Sequence, residues 1–347
     1  MAGNTPVRPA GAAWPGTVGP AGPGATTPVR KRRRRWPYIL LSLLLVAAVV
    51  VVGGYFYLDS RLHRQDVLTN YAGRPADTPG TNWLIVGSDS RQGLTRAQER
   101  QLATGRAVGE RTDTMMLLHT GAGGTTLVSL PRDSYVRIPG HGDNKLNAAF
   151  AFGGAPLLVK TIELNTGVHL DHYAEIGFGG FVGIVDSVGG VNICIKTAMK
   201  DKKAGLDLKP GCQTLNGSQA LGYVRTRATA RADLDRVEHQ RQFFSALMKK
   251  ATGMGVLLNP FRSVPLALHA TDNFTVDDSD HLNDLISLMW TMRSVGSGGG
   301  TTTTVPVGGF GSAAGVGSYL RWDTTRSGEL FGALKNDTKV PASAISR

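Results

Sequence analysis

The run from Tyr38 to Leu58, YILLSLLLVAAVVVVGGYFYL, constrains this chain more than any other stretch. It carries no charged residue, and its length matches the ~20 residues a helix needs to cross a bilayer. Trp36, Tyr38, Tyr55 and Tyr57 stand at its ends, where amphipathic rings favour the membrane–water boundary. The basic cluster Lys31 to Arg35 precedes it directly. The positive-inside rule then predicts a single-pass cell-membrane protein with a cytoplasmic N-terminus and an extracellular remainder. A cleaved signal peptide is the rival reading, and it calls for a shorter apolar stretch followed by a small-residue cleavage site. Here the run ends in Tyr55-Phe56-Tyr57-Leu58-Asp59 with no Ala-x-Ala pattern, so an uncleaved anchor is expected.

The span divides the chain. Residues 1–37 read as a disordered, basic cytoplasmic tail, because Gly, Pro, Ala and Thr without large apolar side chains cannot offset ordering entropy. Residues 38–58 are the transmembrane helix and 59–81 a juxtamembrane helix and linker. Residues 82–347 are the folded domain, with its motifs concentrated in 82–250. The net charge of +12 suggests a nucleic-acid binder, but seven of the 38 basic residues lie in the tail. The remaining 31 face 26 acidic side chains, so no nucleic-acid partner is expected. Cys194 and Cys212, 18 apart and beyond the span, suggest a disulfide; two buried thiols are the alternative. No CxxC spacing argues for zinc.

Within the domain, strands and helices alternate. Leu84–Val86, Met115–Leu118 and Leu127–Leu130 are short apolar runs suited to buried strands. Helices are expected over 145–152, 157–166, 179–188, 215–221, 234–250, 283–292 and 330–336. Further strands are expected at 173–176, 191–195 and 301–307. The predicted class is α/β, an αβα sandwich with a central mixed sheet covered by helices.

The chemistry concentrates at the strand ends. Asp89 and Asp113 each border an apolar strand, with Arg91 and Arg111 two residues away. A carboxylate pair with an open face suits Mg²⁺, which keeps waters and shares phosphate oxygens; capping of turns is the plainer reading. Arg132 follows Pro131 at the end of a third strand. Arg225 and Arg227 alternate, so on a strand they would share a face and could grip a diphosphate, or pair with Asp233 and Asp235 at the surface. Arg236 and Gln240 share a helix face. The apolar stretches 148–152, 157–162 and 178–188, with Phe243, Phe244 and Leu247, are core or the lining of a lipid pocket. No GxSxG, Gx₄GK[ST] or HExxH occurs, and His119 inside an apolar strand reads as a core histidine.

Taken together, these segments resemble the LytR–CpsA–Psr family of cell-envelope proteins, with an actinobacterial character. The matching motifs are Gly87-Ser-Asp-Ser-Arg91, Arg111-Thr-Asp-Thr-Met115, Ser129-Leu-Pro-Arg-Asp133, Lys145-Leu-Asn-Ala-Ala149 with Gly153-Gly154, Gly189-Gly-Val191, Leu215-Asn-Gly217, Tyr223-Val-Arg-Thr-Arg227 and Asp233 to Gln242. The chain departs from the family at His239, where many members carry arginine, at Arg241, and at Gly177. The resemblance implies a phosphotransferase that moves a glycopolymer from a polyprenyl-diphosphate carrier to a peptidoglycan hydroxyl. It implies Asp89 and Asp113 as ligands of Mg²⁺ (or Mn²⁺), and Asp89, Asp113 and Arg132 as the catalytic set. Arg91, Arg111, Arg132, Arg225, Arg227, Arg236 and Gln240 would hold the diphosphate, and the apolar helices would hold the polyprenyl chain. A lipid-diphosphate hydrolase and a non-catalytic envelope regulator are the competing functions.

Overall fold

The computed structural model describes residues 36–90, 112–226 and 233–346, with Met1, Gly3, Gly11, Gly16, Gly19, Gly22, Arg96, Glu99 and Leu102; the side chains of 233–238 lie outside that description. The disorder expected for the tail falls almost wholly outside the described residues. Two compact units separate by contact, Met1–Val50 and Val51–Arg347. Helix α1 spans Trp36–Asp59 and is long and apolar enough to cross a membrane, which fits a single-pass anchor.

Seven strands form the central sheet: β1 His63–Gln65, β2 Thr81–Ser88, β3 Thr112–Gly121, β4 Gly124–Ser129, β5 His172–Ile176, β6 Phe274–Asp277 and β7 Thr301–Thr304. Their order is β1-β6-β5-β2-β3-β4-β7. Strands β2, β4, β5 and β7 run one way and β1, β3 and β6 the other, so the sheet is mixed. Strands β2 and β3 lie in the middle and are buried on both faces. That is why Trp83–Val86 and Met115–Leu118 read as unbroken apolar runs rather than alternating ones. The β3–β4 hairpin turns at Ala122-Gly123, whose N–H groups donate to the Asp337 carboxylate at 2.8 Å each.

The longer helices after the span are α2 Leu146–Thr166, α3 Phe178–Ser187, α4 Gly217–Arg225, α5 Asp233–Ala251, α6 Pro260–Asn273, α7 Leu282–Gly296 and α8 Thr324–Lys335. One sheet face packs Leu84, Val86, Met115 and Leu117 against Leu158 and Ile162 of α2 and Leu330 and Leu334 of α8. The other packs Trp83, Met116, Leu118 and Ala174 against Leu288, Met292 and Val295 of α7, with Phe244 and Met248 of α5. Each fully buried side chain of this size contributes roughly 1.5–3 kcal/mol. A third cluster joins α3, α4 and α5 to the strand pair Val191–Ile195 and Gly211–Leu215. Cys194 and Cys212 face each other across that pair and form the expected disulfide.

Several local expectations change. The segment 59–81 is neither helix nor free linker: β1 pairs parallel with β6, and Val67 is fully buried in the core. Tyr223–Arg225 is not a strand, because the capping box of Asn216 with Gln219 starts α4 and the helix runs on through Arg225. Arg225 therefore closes a helix rather than standing on a strand, and Arg227 lies outside the described residues. In α2 the helical backbone breaks at Gly153 and Gly154, and Pro156 opens the second half, much as two helices were expected. The stretch 301–307 divides into β7 and a hairpin formed by Val307–Ala313 and Gly317–Trp322.

Candidate active site at the carboxyl end of the sheet

Parallel strands in an open α/β sheet present their carboxyl ends to a crevice where ligands bind. Here β2 ends at Ser88, β4 at Ser129 and β5 at Ile176, while β3 begins at Thr112 beside them. Gly87 pairs with Thr114 and Ser88 with Thr112, which leaves Asp113 as the extra residue of a β-bulge. Such a bulge re-aims one side chain out of the ladder. Asp113 is thereby turned to Arg132, whose Nη1 donates to its Oδ1 at 2.5 Å. Arg132 Nε also donates to Asp133 at 3.4 Å, and Lys145 Nζ lies 3.0 Å from the other Asp133 oxygen. Burial works against the charged Asp133 carboxyl, but Lys145 and Arg132 outweigh it and hold the group below the usual carboxylate range. Charges alternate from Asp113 to Lys145, so Arg132 is held from both sides.

A narrow cavity of about 50 Å³ opens beside Asp113. Its polar end is formed by Gly87, Ser88, Asp113, Arg225 and Gln240, and its wall by Ile176, Phe178, Phe181, Leu221, Val224 and Phe244. Arg225 is the last residue of α4. Its guanidinium lies 4.7 Å from the centre of the Phe178 ring, and Nη1 donates to the Leu102 carbonyl at 3.0 Å. Gln240 is 7% exposed and donates to the Val224 carbonyl at 3.2 Å, tying α5 to α4. The Ser88 hydroxyl is buried and has no hydrogen-bond partner among the described residues. Asp113 lines the same cavity, and Asp89 follows Ser88 in the chain.

The expected site residues thus meet in part. Asp113 touches Arg132, and Arg225 and Gln240 share its cavity. Asp89 follows Ser88 directly and is half-buried. Arg91, Arg111 and Arg227 lie outside the described residues, as does the side chain of Arg236. Of the apolar stretches, Leu158 and Ile162 are core under the opposite sheet face, whereas Phe178, Phe181 and Phe244 line the cavity. His119 is a core histidine: its Nδ1 is 2.8 Å from Asn82 Oδ1 and its Nε2 3.2 Å from Asp337. The His239 ring lies against Tyr223, tilted by 36° with ring centres 4.6 Å apart. Gly177 caps α3, and a Cβ there would stand 2.9 Å from the Ser90 carbonyl oxygen, which explains the glycine. Sequence reasoning assigned no role to Lys145, Ser88 or Glu175. For Glu175 a signal existed, since it is an acid between Ala174 and Ile176 in a central strand.

The sequence model of the LytR_cpsA_psr family matches residues 59–336. A probable cell wall biosynthesis protein, LcpB of Corynebacterium glutamicum, is 50% identical over 281 residues, covering 80% of this chain and 66% of that relative. The chain therefore spans a little under two thirds of that relative's length. A LytR-Csp2A-Psr enzyme from Actinomyces oris superposes with a TM-score of 0.62 at 22% identity over 79% of this chain and 96% of that one, a likeness of fold. TagT bound to LI-WTA superposes with a TM-score of 0.57 at 28% identity over 79% of this chain and 96% of that one. The α/β fold, the site at the carboxyl edge and the match across 59–336 converge: this chain belongs to the LytR–CpsA–Psr family.

Proposed function

We propose that this chain is a membrane-anchored phosphotransferase of cell-wall assembly, moving a glycopolymer from a polyprenyl-diphosphate carrier to a hydroxyl of peptidoglycan. The reading is supported by the names of its relatives, a cell wall biosynthesis protein and TagT bound to LI-WTA. One observation carries it. The Asp113–Arg132 pair stands at a cavity with Arg225 and Gln240 at its polar end and an aromatic and aliphatic wall. Guanidinium groups suit diphosphate oxygens, and the wall suits the start of a prenyl chain.

Asp89, Asp113 and Ser88 would hold Mg²⁺, with Mn²⁺ able to take the same donors. When bound, the ion supplies positive charge to phosphate oxygens. The chain's own residues do the rest. Arg132 and Arg225 orient the diphosphate and offset the charge that grows on the leaving phosphate. Asp89 accepts the proton of the attacking hydroxyl. The hydroxyl oxygen bonds to the glycan-side phosphorus, the bond from that phosphorus to the bridging oxygen breaks, and polyprenyl phosphate leaves with the electron pair. The domain works outside the membrane, with the basic tail inside.

The test incubates the full chain in lipid nanodiscs with Mg²⁺, a polyprenyl-diphosphate glycan and peptidoglycan fragments. A phosphodiester-linked product is expected, dependent on the metal. Free glycan phosphate alone would instead make the protein a hydrolase, and no turnover with any divalent ion would leave a non-catalytic role. Polyprenyl phosphate that co-purifies with the protein is the expected trace of its lipid site. A reporter fused after Arg347 should be active only outside the cell.

A further inference from the structure

A second cavity, of about 440 Å³, opens on the far side of the Ser88–Ser90 segment. Its size falls within the range of small-molecule sites. Glu175 alternates with Ala174 on β5 and so faces the α2 side of the sheet, where Phe150 and Gly154 form the opposite wall. The two cavities share Gly177. At that shared glycine a Cβ would press on the Ser90 carbonyl oxygen.

Their linings differ. The first cavity offers Arg225, with Arg132 close behind Asp113. The second offers Glu175, Asp272 and His63 with Gln65, Ser90, Asn273 and Thr275, and no lysine or arginine among its described lining residues. Asp272 is already paired with Arg61. Glu175 is 8% exposed and accepts from the Tyr173 hydroxyl at 2.6 Å, which fixes its direction. Carboxylate, amide and hydroxyl oxygens accept hydrogen bonds from sugar hydroxyls.

We infer that the second cavity is the acceptor subsite and takes an uncharged, hydroxyl-rich sugar unit, with Glu175 as a positioning residue. The inference rests on the transfer reading above. It also suits the reaction's direction, because in-line displacement needs the attacking and leaving oxygens on opposite sides of the phosphorus. Asp89 stands between Ser88, which lines one cavity, and Ser90, which lines the other.

The test uses the full chain in nanodiscs, with chitotetraose as the probe for an uncharged glycan and farnesyl diphosphate as the probe for the donor head. Two variants are compared, Glu175→Gln and Ala151→Trp. Ala151 is exposed at the cavity's rim, so tryptophan there covers the mouth without entering the core. Both variants are expected to weaken chitotetraose binding by about 10-fold or more, while farnesyl diphosphate binding changes less than about twofold. In the transfer assay Glu175→Gln raises KM for the acceptor and leaves KM for the donor unchanged. A wild-type chain that does not bind chitotetraose, or variants that both bind it like wild type, would overturn the subsite. If chitotetraose binding depends on the cavity but no diphosphate is bound or transferred, the glycan subsite stands and the transferase reading falls.

Discussion

The two ends of the central sheet use the same residue types to opposite effect. At the amino end, polar groups are buried and saturated. Glu163, fully buried, accepts from Tyr71 at 2.9 Å, from Arg74 at 3.1 Å and from the Leu170 N–H at 3.0 Å. Asp280, also fully buried, lies 2.5 Å from His172 Nδ1 and accepts from the Tyr173 N–H. At the carboxyl end, Asp113 keeps 35% of its side chain exposed and Arg132 22%, beside an open cavity. Acids with complete partner sets hold a fold together. Acids left half-open beside arginines have capacity to spare for a ligand. The type of residue therefore does not mark the site; the completeness of its hydrogen bonding does.

The sharpest way to break this contrast is at the carboxyl end. Asp113→Ala and Arg132→Ala should each lower transfer by about 10³-fold or more, as removal of an oriented charge does in such reactions. Their melting temperatures should stay close to wild type, because a half-exposed pair contributes about 1 kcal/mol or less. A large stability loss with intact turnover would reverse the assignment. At the amino end the expectation inverts. Glu163→Ala should cost about 3–5 kcal/mol in urea unfolding, since it strands the buried charge of Arg74, while protein that remains folded keeps its turnover number.

Away from both ends, replacing Cys194 and Cys212 by serine opens the cross-link between residues 18 apart. The chain-entropy account gives a loss of roughly 3 kcal/mol, measurable by unfolding with and without reductant. The smallest effect concerns pH. Burial opposes the charged His172 imidazole, but the Asp280 carboxylate outweighs it and raises the group above 6.5. A raised folded value means that the contribution is complete below about pH 6.5 and fades as pH climbs through the raised value. The stability difference between wild type and His172→Gln should shrink across that window, and a difference that grows with pH would contradict the pairing.

How much of this was legible in the sequence depended on what each element rests on. The central strands announced themselves because burial on both faces demands apolar runs. The disulfide and the core role of His119 also followed from local pattern. Strand β1 did not, since three residues that include His63 and Arg64 carry no periodic signal and pair only through contacts with β6 far along the chain. Arg225 invites a strand reading because Arg-x-Arg spacing mimics a strand face, while the deciding signal, the cap that begins at Asn216, lies nine residues upstream. Asp113 and Arg132 were legible as residues, but the bulge that turns one toward the other was not, because it arises only from the register of β2 against β3.

The sharing of Gly177 by both cavities carries a kinetic signature. If donor and acceptor occupy neighbouring cavities as proposed, neither must leave before the other arrives. Transfer would then pass through a ternary complex, with no need of a covalent glycosyl-phosphate adduct. Double-reciprocal plots at several acceptor concentrations should intersect rather than run parallel, and no burst should precede steady state. A bulkier residue at 177 would press on the segment both chambers share, so donor and acceptor would begin to compete and the intersecting pattern would drift toward mutual inhibition.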